Sequence, residues 1–417
     1  MAAIDSATAR LSDLIGHPLC DERGRRIGRI SDVVIRVAGT DPPGVVGVLV
    51  RHRATGLFLP ISHLIDLPGG RTDAQAAEAQ GFVRQPQTML LAHDLMDHQV
   101  IDLRQVRAVR VNDVVLKGSG ASWQVEAVDL AAGTLLRRLL PYWMRPPAEA
   151  RLLPWSDLEP FASEVTGGEL QADHARLSRR HPADIARLAD GVPTRQALEI
   201  VGSLADDLAA DTMEEMVDEK QADVIEELDP ERAADILDHM APDAAADVLA
   251  ELEPEVVDVL LRHMEPSEAA DVHALLTYPK DSAGGLMTTD YVMVQSDLDV
   301  GKAMAYLRPQ LAKPDWIYYI YVVDDVRERR LDGVLTLRDL LLSPPERRIA
   351  EIMTTLPRQV LPDAPAATVA QVMAEYNLLA LPVTDRQGRL LGIVSVDDAL
   401  ESMLPAGLRR RLPRVFS

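Results

Sequence analysis

The pattern of hydrophobic and polar positions divides the chain into a strand-rich first part and a helix-rich second part. Short apolar runs at 45–50 and 57–61, bounded by glycine and proline, are typical of β-strands. From His181 onward, apolar residues recur at the three- and four-residue spacing of amphipathic helices. After residue 278, two further copies of one unit each follow an αββα-like pattern. The pattern predicts a multidomain α+β protein.

The strand-rich part is predicted to contain one small β module twice. Residues 13–14 recur as 94–95, and residues 31–35 recur as 112–116, with a constant shift of 81 residues. The same alignment pairs His17 with His98, which could be ligands, although a turn or capping role kept by the duplication is the commoner explanation for such a pair. The first copy is expected over residues 1–68 and the second over 89–165, and a linker rich in Gly, Ala and Gln joins them.

The first copy contains a stretch, DLIGHPLCDERGRRIGRISDVVI at 13–35, that resembles the PRC-barrel family. The second copy is degenerate because it lacks the glycines at the turn. The resemblance implies two small β-barrels that dock onto partners, since family members generally act as docking modules. A shared fold does not by itself give a function.

The helix-rich part, predicted over residues 170–277, repeats every twelve residues. Each of its clearest repeats begins at a proline: Pro230, Pro242, Pro254 and Pro266. Proline is well tolerated at the first helical position, and a carboxylate before it can cap the free amides. Helices of this length are marginal alone, so they must pack on one another. The repeats therefore predict an α-helical solenoid.

The repeats carry nearly all of the charge imbalance of the protein. Residues 199–271 contain 24 carboxylates and three basic side chains, whereas the whole chain has a net charge of −22. One aspartate per repeat occupies an equivalent position in most of the repeats, at Asp211, Asp223, Asp235, Asp247 and Asp271. Such a ladder repels itself unless cations lie against it, and hydrated divalent ions take carboxylate oxygens as ligands. A solvated polar face is the competing interpretation.

Bulk properties exclude several classes of function. The single cysteine, Cys20, allows no intramolecular disulfide framework, and the acidic balance argues against a nucleic-acid partner. The N-terminus lacks the charged and apolar regions of a secretory signal, and no run of eighteen apolar residues occurs, so we expect a cytoplasmic protein. We find no nucleophile beside a base and no Gly-rich phosphate loop, so we do not expect an enzyme.

The last two copies, at 278–345 and 346–404, resemble a tandem of cystathionine-β-synthase (CBS) domains. In each copy a strand ends at Ser or Thr and an aspartate follows three residues later. In the CBS family this pair holds the ribose hydroxyls of an adenine nucleotide such as ATP. The resemblance implies a nucleotide site formed by Tyr319, Thr336, Arg338, Asp339 and Ser395. The alternative is a plain capping box, which forms with or without a ligand.

Taken together, the acidic helices, the segment YPKDSAGGLMTTDYVMV and the CBS-like copies closely resemble the cytosolic part of MgtE-type magnesium channels, over residues 181–404. In that family Mg²⁺ draws an acidic helical domain and a CBS pair together. The resemblance implies metal ligands at Asp235, Asp247, Gly285, Asp398 and Glu401. Where the family has acidic ligands or a stacking aromatic residue, this chain has Pro-Ala-Ala at 365–367, Asn377 and Leu378, which predicts fewer or weaker sites.

These resemblances imply a cytoplasmic Mg²⁺ sensor that acts on a separate membrane transporter or another membrane-associated protein, and the CBS resemblance adds an adenine nucleotide as a second candidate ligand. The chain stops after residue 417 with a basic tail at 405–417, so we expect no pore and expect a location at or near the inner face of the membrane. By analogy with CBS pairs we expect a homodimer. The alternative function is a scaffold that binds proteins through the solenoid and the PRC-like modules, with a vestigial metal response.

Overall fold

The computed structural model describes residues 7–37, 41–52, 55–73, 80–85, 87–131, 151–161, 176–310, 317–355 and 357–404. Two compact units, Met1–Ala205 and Asp206–Ser417, are described separately. The predicted basic tail lies outside the described residues. In the part of the chain that the structure describes, no helix is long and apolar enough to cross a membrane.

The first unit contains strands from both sequence copies in one large, mostly antiparallel sheet. Its strands are β1 Ala7–Arg10, β2 Pro18–Cys20, β3 Arg26–Arg36, β4 Gly44–His52, β5 Thr55–Pro60, β6 Leu64–Asp66, β7 Arg71–Thr72, β8 Gln80–Gly81, β9 Thr88–Leu90, β10 Gln99–Asp102, β11 Arg107–Arg110, β12 Asp113–Ser119, β13 Ser122–Asp129, β14 Leu152–Pro154 and β15 Leu158–Pro160. A smaller sheet has the order β11-β10-β15. The predicted linker contributes β7 and β8 and the start of β9. Short helical turns lie at α1, Leu11–Leu14, and in a single π-turn at Leu91–Leu95.

The two copies exchange their first strands. Strand β1 of the first copy pairs with β12 of the second, and β9, the counterpart of β1, pairs with β3 of the first. The copies predicted at 1–68 and 89–165 therefore share strands of one sheet, and these domain bounds stay a prediction. A strand that pairs across the duplication satisfies its backbone groups only when both copies are folded. The PRC-barrel identity stays a prediction.

Two buried aspartates reinforce this exchange. Asp113 accepts hydrogen bonds from the backbone nitrogen of Ser12 at 3.0 Å and from the Ser12 hydroxyl at 2.6 Å. Its counterpart Asp32 accepts from the nitrogens of Ala92 and His93 at 2.7 and 3.0 Å. The shift of 81 residues relates both donors and acceptors, so each copy holds the first turn of the other. Burial raises the pKa of Asp32 to about 6, against the opposing effect of these amides.

The helical repeats begin in the first unit with α2, Pro182–Asp190, and α3, Thr194–Ser203. The second unit contains the others: α4 Asp206–Glu214, α5 Asp218–Glu227, α6 Pro230–His239, α7 Pro242–Leu249, α8 Pro254–His263 and α9 Pro266–Leu275. Each of the four predicted prolines is the first residue of its helix. Only at α6, among these four, does the preceding side chain cap the helix, where Asp229 accepts from Glu231 nitrogen at 3.1 Å.

Carboxylates three helices back along the chain support two of the other helix starts. The nitrogen of Ala241, before α7, donates to Glu214 Oε1 on α4 at 2.7 Å, and the nitrogen of Glu265, before α9, donates to Asp238 on α6 at 3.0 Å. The helices themselves pack on their second neighbours, since α4 contacts α6, α6 contacts α8, α5 contacts α7, and α7 contacts α9. The predicted aspartate ladder is therefore divided between two rows, with Asp235 on α6 and Asp247 on α7.

The two CBS-like copies have the predicted strand and helix order. The first comprises β16 Val292–Gln295, α10 Val300–Gln310, β17 Ile320–Val323, β18 Leu331–Leu335 and α11 Leu337–Leu342. The second comprises α12 Ile349–Ile352, β19 Thr354–Thr355, α13 Ala366–Tyr376, β20 Ala380–Thr384, β21 Leu390–Ser395 and α14 Val396–Met403. The mixed α+β class with a helical part and two CBS-like copies is confirmed.

These copies also exchange their leading residues. Thr354 and Thr355, which open the second copy, pair with β18 of the first. Thr288, which precedes the first copy, exchanges backbone hydrogen bonds with Ile393 of β21, at 2.8 and 3.0 Å. This crossing brings the segment after α9 against the second copy, where α14 begins.

Candidate functional site

The most unusual carboxylate of the second unit is Asp243, the second residue of α7. Thr288 donates a hydrogen bond to its carboxylate. Oxygen Oδ1 of the same carboxylate is buried and has no hydrogen-bond partner among the described residues. Burial and the nearby charge of Asp398 raise the pKa of Asp243 to about 7, with Glu214 adding to the effect. A buried, unsatisfied acceptor of this kind requires a proton or a cation.

One helical turn further along α7, the carboxylate of Asp247 lies in the same electrostatic environment. Burial raises its pKa, Lys280 opposes that rise, and Asp218, Asp398 and Glu251 add to it. Two carboxylates four residues apart on a helix are neighbours on one face. Asp243 and Asp247 therefore form one acidic edge of α7, and both interact with the charge of Asp398.

The opposing carboxylate, Asp398, is fixed at the start of α14. The Ser395 hydroxyl donates to Asp398 Oδ2 at 2.5 Å, and the nitrogen of Asp398 donates to the Ser395 hydroxyl at 3.2 Å. This cap determines where the side chain lies before any ligand binds. Because β21 pairs with Thr288, the same segment that hydrogen-bonds to Asp243 also lies beside the strand that leads to Asp398.

The turn at 279–285 has no room for a side chain at Gly285. A Cβ atom there would lie 2.2 Å from the carbonyl oxygen of Pro279 and 2.9 Å from Lys280 Cα. The amide of Gly285 donates to the Ser282 carbonyl at 3.0 Å, so it is used within the turn. Glycine is required here for close backbone packing.

The predicted nucleotide residues of the first CBS-like copy lie at one end of its sheet. Thr336 and Asp339 form a capping box, with the hydroxyl of Thr336 donating to Asp339 Oδ2 at 2.6 Å and the nitrogen of Asp339 donating back at 3.2 Å. The Thr336 hydroxyl and backbone amide lower the pKa of Asp339. Tyr319 directly precedes β17, whose first residue Ile320 pairs with Leu335, the residue before Thr336, and Arg338 is exposed on the first turn of α11.

Comparisons with known proteins agree with this division of the chain. A family model described as the MgtE intracellular N domain matches residues 180–281, and a CBS-domain model matches 283–345 and 349–405. The magnesium transporter MgtE of Thermus thermophilus is 47% identical over 132 residues, which are 32% of this chain and 29% of the transporter. The MgtE of Enterococcus faecalis is 40% identical over 134 residues, again 32% and 29%. The chain thus spans less than a third of the length of these relatives.

Solved structures extend the similarity across both domains. The cytosolic domain of the Mg²⁺ channel MgtE in complex with ATP is 37% identical, with 55% of this chain covering 93% of that chain at a TM-score of 0.52. The soluble part of a magnesium transporter is 31% identical, with 89% of that chain covered and a TM-score of 0.51. The chain belongs to the MgtE cytosolic-domain family. Its family region is an MgtE N domain joined to a CBS pair.

The predicted metal residues of the N domain and the CBS pair are only partly brought together. Asp247 and Asp398 interact electrostatically, and the turn that contains Gly285 lies between the two domains in the chain. Asp235 is exposed on α6, in the other row of helices, and Glu401 is exposed one turn beyond Asp398. Within the described ranges no three His, Cys, Asp or Glu side chains form a ready metal cage. The ligand roles of these residues stay predictions.

The residue that the sequence analysis missed is Asp243. It does not share the repeat position of Asp211, Asp223, Asp235, Asp247 and Asp271. Its spacing of four residues before Asp247 would have placed it on the same helix face. Its burial against Thr288 could not have been read from that spacing, since it depends on the crossing of the CBS copies.

The sequence predicts Ser395 as a nucleotide ligand and Asp398 as a metal ligand. The structure joins them in one cap, in which the Ser395 hydroxyl donates to the Asp398 carboxylate and accepts from the Asp398 backbone nitrogen. A nucleotide that bound the Ser395 hydroxyl would have to replace this bond. The Thr336 hydroxyl makes the equivalent bond to Asp339, and the first copy differs because Asp339 is not also a predicted metal ligand.

Proposed function

We propose that the MgtE N domain and CBS pair of this chain form a regulatory sensor of Mg²⁺. The observation that carries the proposal is the buried Oδ1 of Asp243, which has no partner in the described chain and faces the charge of Asp398. A divalent ion on these oxygens would satisfy the buried acceptor and screen both carboxylates. Mg²⁺ suits such a place because it binds through one or two carboxylates and keeps several of its waters.

The sensing mechanism follows from repulsion. Asp243 and Asp247 belong to the helical domain, whereas Asp398 belongs to the CBS pair, so their mutual repulsion separates the two domains. A cation bound to both sides reverses the sign of that interaction and holds the domains together. The cation then shifts an equilibrium between two arrangements in proportion to its preference for the closed one. Glu401 and the exposed carboxylates of the helices would add weaker, more hydrated positions.

The partner we propose is a magnesium transporter of the membrane, which the closed sensor would regulate from the inner face. Its support is the similarity to proteins named as Mg²⁺ channels and magnesium transporters. The sensor itself would be non-catalytic. We also propose a homodimer through the CBS pair, supported by exposed leucines on α11, Leu341 at 63% and Leu342 at 73%, and by Leu400 at 55% on α14.

The direct test is a titration of the full chain with MgCl₂ while its Tm is measured. Binding to the folded state alone stabilises it by about 2.7 kcal/mol when the free ion is a hundredfold above Kd. We expect a saturable rise in Tm with millimolar Mg²⁺, together with protection of the segment at 276–290 from protease. A melting curve and a cleavage pattern that both ignore Mg²⁺ would contradict sensing and favour the scaffold function.

A second ligand, an adenine nucleotide, is supported by the ATP-bound relative and by the Thr336–Asp339 pair. Arg338→Gln separates nucleotide binding from simple helix capping, because Arg338 is exposed and lies outside the cap. We expect the variant to keep its Tm without nucleotide, within about 0.5 kcal/mol, as exposed substitutions usually do. The rise in Tm on adding ATP should become smaller than in wild type.

The matched control is Arg347→Gln, which removes an exposed arginine that lies just before α12 of the second CBS copy and pairs there with Glu351. This control should respond to ATP like wild type. If both variants respond alike, Arg338 does not contact a phosphate and the Thr336–Asp339 pair is a capping box alone.

A further inference from the structure

We propose that Lys280 is a built-in cation of the sensor, which occupies part of the acidic surface and sets how much Mg²⁺ is needed to close it. The inference rests on the proposed function, because it names a residue that tunes the same site. Lys280 lies in the turn between the last helix of the N domain and the first CBS copy, so its ammonium is part of the chain and present at every Mg²⁺ concentration.

The position of the ammonium is well defined. Lys280 Nζ lies 2.6 Å from Glu251 Oε1, just beyond the C-terminus of α7. The free carbonyls at a helix C-terminus attract a cation, which adds to the attraction of the carboxylate. Both side chains are about half exposed, 51% for Lys280 and 52% for Glu251, so water and salt can reach the pair.

The turn itself is held by the second CBS copy. The Asp281 carbonyl accepts from Ala366 nitrogen at 2.9 Å, and the Ala283 nitrogen donates to the Ala364 carbonyl at 2.7 Å. The backbone of Gly285 also packs closely on Pro279 and Lys280 within the turn. Lys280 is thus anchored on the CBS side while its ammonium contacts the helical side.

This ammonium acts on the carboxylates that Mg²⁺ would use. Among the charges that affect the pKa of Asp247, Lys280 lowers it, whereas Asp218, Asp398 and Glu251 raise it. One positive charge is therefore opposed to several negative charges around Asp247. Lys280 and Mg²⁺ compete for the same carboxylates, because a bound divalent ion repels the ammonium and neutralises the acids that attract it.

Two consequences follow for the balance between the open and closed arrangements. Without Mg²⁺, Lys280 stabilises the closed arrangement and limits the repulsion between the domains. With Mg²⁺ bound, Lys280 contributes little, because the acids are already neutralised. Lys280 therefore reduces the difference in the population of the closed arrangement between the Mg²⁺-free and the Mg²⁺-bound protein. The response to Mg²⁺ then begins from a partly closed state.

The test compares Lys280→Gln with wild type and with Lys302→Gln in the full chain, by Tm against MgCl₂ at low and high KCl. Lys302, on the first turn of α10 within the CBS pair, is a suitable control. Its exposed ammonium forms an ion pair with Asp299, with Nζ 2.7 Å from Oδ2. For Lys280→Gln at low salt we expect a lower Tm without Mg²⁺. We also expect the half-saturating Mg²⁺ concentration to fall by about three- to tenfold, because one unit positive charge near the ion is removed and no longer repels it.

The KCl series distinguishes the proposal of Mg²⁺ sensing from the proposal that Lys280 acts as an internal cation. Salt screens exposed charges beyond about 8–10 Å, so the deficit of Lys280→Gln without Mg²⁺ should shrink as KCl rises, whereas Lys302→Gln should show no such deficit. If wild type ignores Mg²⁺ but this salt-dependent deficit remains, Mg²⁺ sensing fails and the role of Lys280 as an internal cation stands. If Lys280→Gln matches Lys302→Gln in both series, the role of Lys280 is overturned whatever wild type does with Mg²⁺.

Discussion

Asp113→Ala is expected to destabilise the N-terminal unit by about 3–5 kcal/mol, the range typical of breaking a buried, paired charge. The side chain of Asp113 is fully buried and accepts from Ser12 nitrogen, the Ser12 hydroxyl and Val114 nitrogen. Arg10 lies 3.5 Å away on the strand that crosses between the copies. Alanine would remove the acceptor of the Ser12 nitrogen and hydroxyl, which anchors the turn after the exchanged strand β1, whereas Arg10 would keep its bond to Asp129 at 2.8 Å.

The measurement is the free energy of unfolding from urea denaturation of the full chain, following the fluorescence of the buried Trp123 and Trp155. Glu126→Ala is the control, because Glu126 pairs with Lys117 on the same sheet but both side chains are more than 40% exposed. An exposed ion pair contributes at most about 1 kcal/mol. A loss for Asp113→Ala no larger than that of the control would show that the exchanged strands do not depend on this carboxylate.

Asp243→Asn is expected to remove most of the Mg²⁺-dependent rise in Tm while making the metal-free protein more stable at neutral pH. The folded-state pKa of Asp243 is about 7, above the value of 3.8 for an unperturbed Asp. The carboxyl group therefore favours folding below about pH 4, and this contribution is lost as the pH rises through 7. Asparagine keeps the shape without the charge, so it does not lose that stability but binds a cation poorly.

The size of the effect follows from the linkage between proton binding and folding. A shift of this kind corresponds to on the order of 3 kcal/mol between pH 4 and pH 8. The measurement is Tm across that pH range, with and without Mg²⁺, for wild type and the variant. Asp32 in the first unit, with a pKa of about 6, changes stability in the same direction, so only the difference between wild type and Asp243→Asn reports on Asp243.

Asp223→Asn is the matched control, because Asp223 is an exposed carboxylate on α5 at the repeat position of Asp247. It should retain the wild-type pH profile and the Mg²⁺ response. If both variants respond like wild type, the cation does not use the buried oxygen of Asp243. If Asp223→Asn loses the response as well, Mg²⁺ acts on the overall charge of the helices rather than at a defined site.

Local sequence patterns determined the elements of this protein. Proline at the first helical position fixed the starts of α6 to α9, since its missing amide is not needed there. The alternation of apolar runs and turns gave the strand order of the CBS pair. The Thr336…Asp339 and Ser395…Asp398 spacings predicted side-chain caps that the structure contains. All of these features depend on contacts within a few residues, which a sequence records directly.

The tertiary structure alone decided how the repeated elements combine. The duplications in both halves could be read from the sequence. The pairing of the leading strand of each copy with the other copy could not, neither for β1 and β9 in the first half nor for Thr288 and β19 in the second. Identical patterns are equally satisfied within a copy or between copies, because a strand needs only a partner of suitable register. The same holds for the acidic helices, whose repeat showed the charges but not that the helices pack on their second neighbours.

That choice of partners also decided the candidate site. Composition indicated a surplus of carboxylates, and the resemblance to MgtE-type channels implied an opposing face at Asp398. The crossing of Thr288 onto β21 brings Thr288 to Asp243, whose Oδ1 is buried without a partner among the described residues. Burial is a property of contacts between distant parts of the chain, so neither composition nor repeat spacing could distinguish Asp243 from the exposed carboxylates around it.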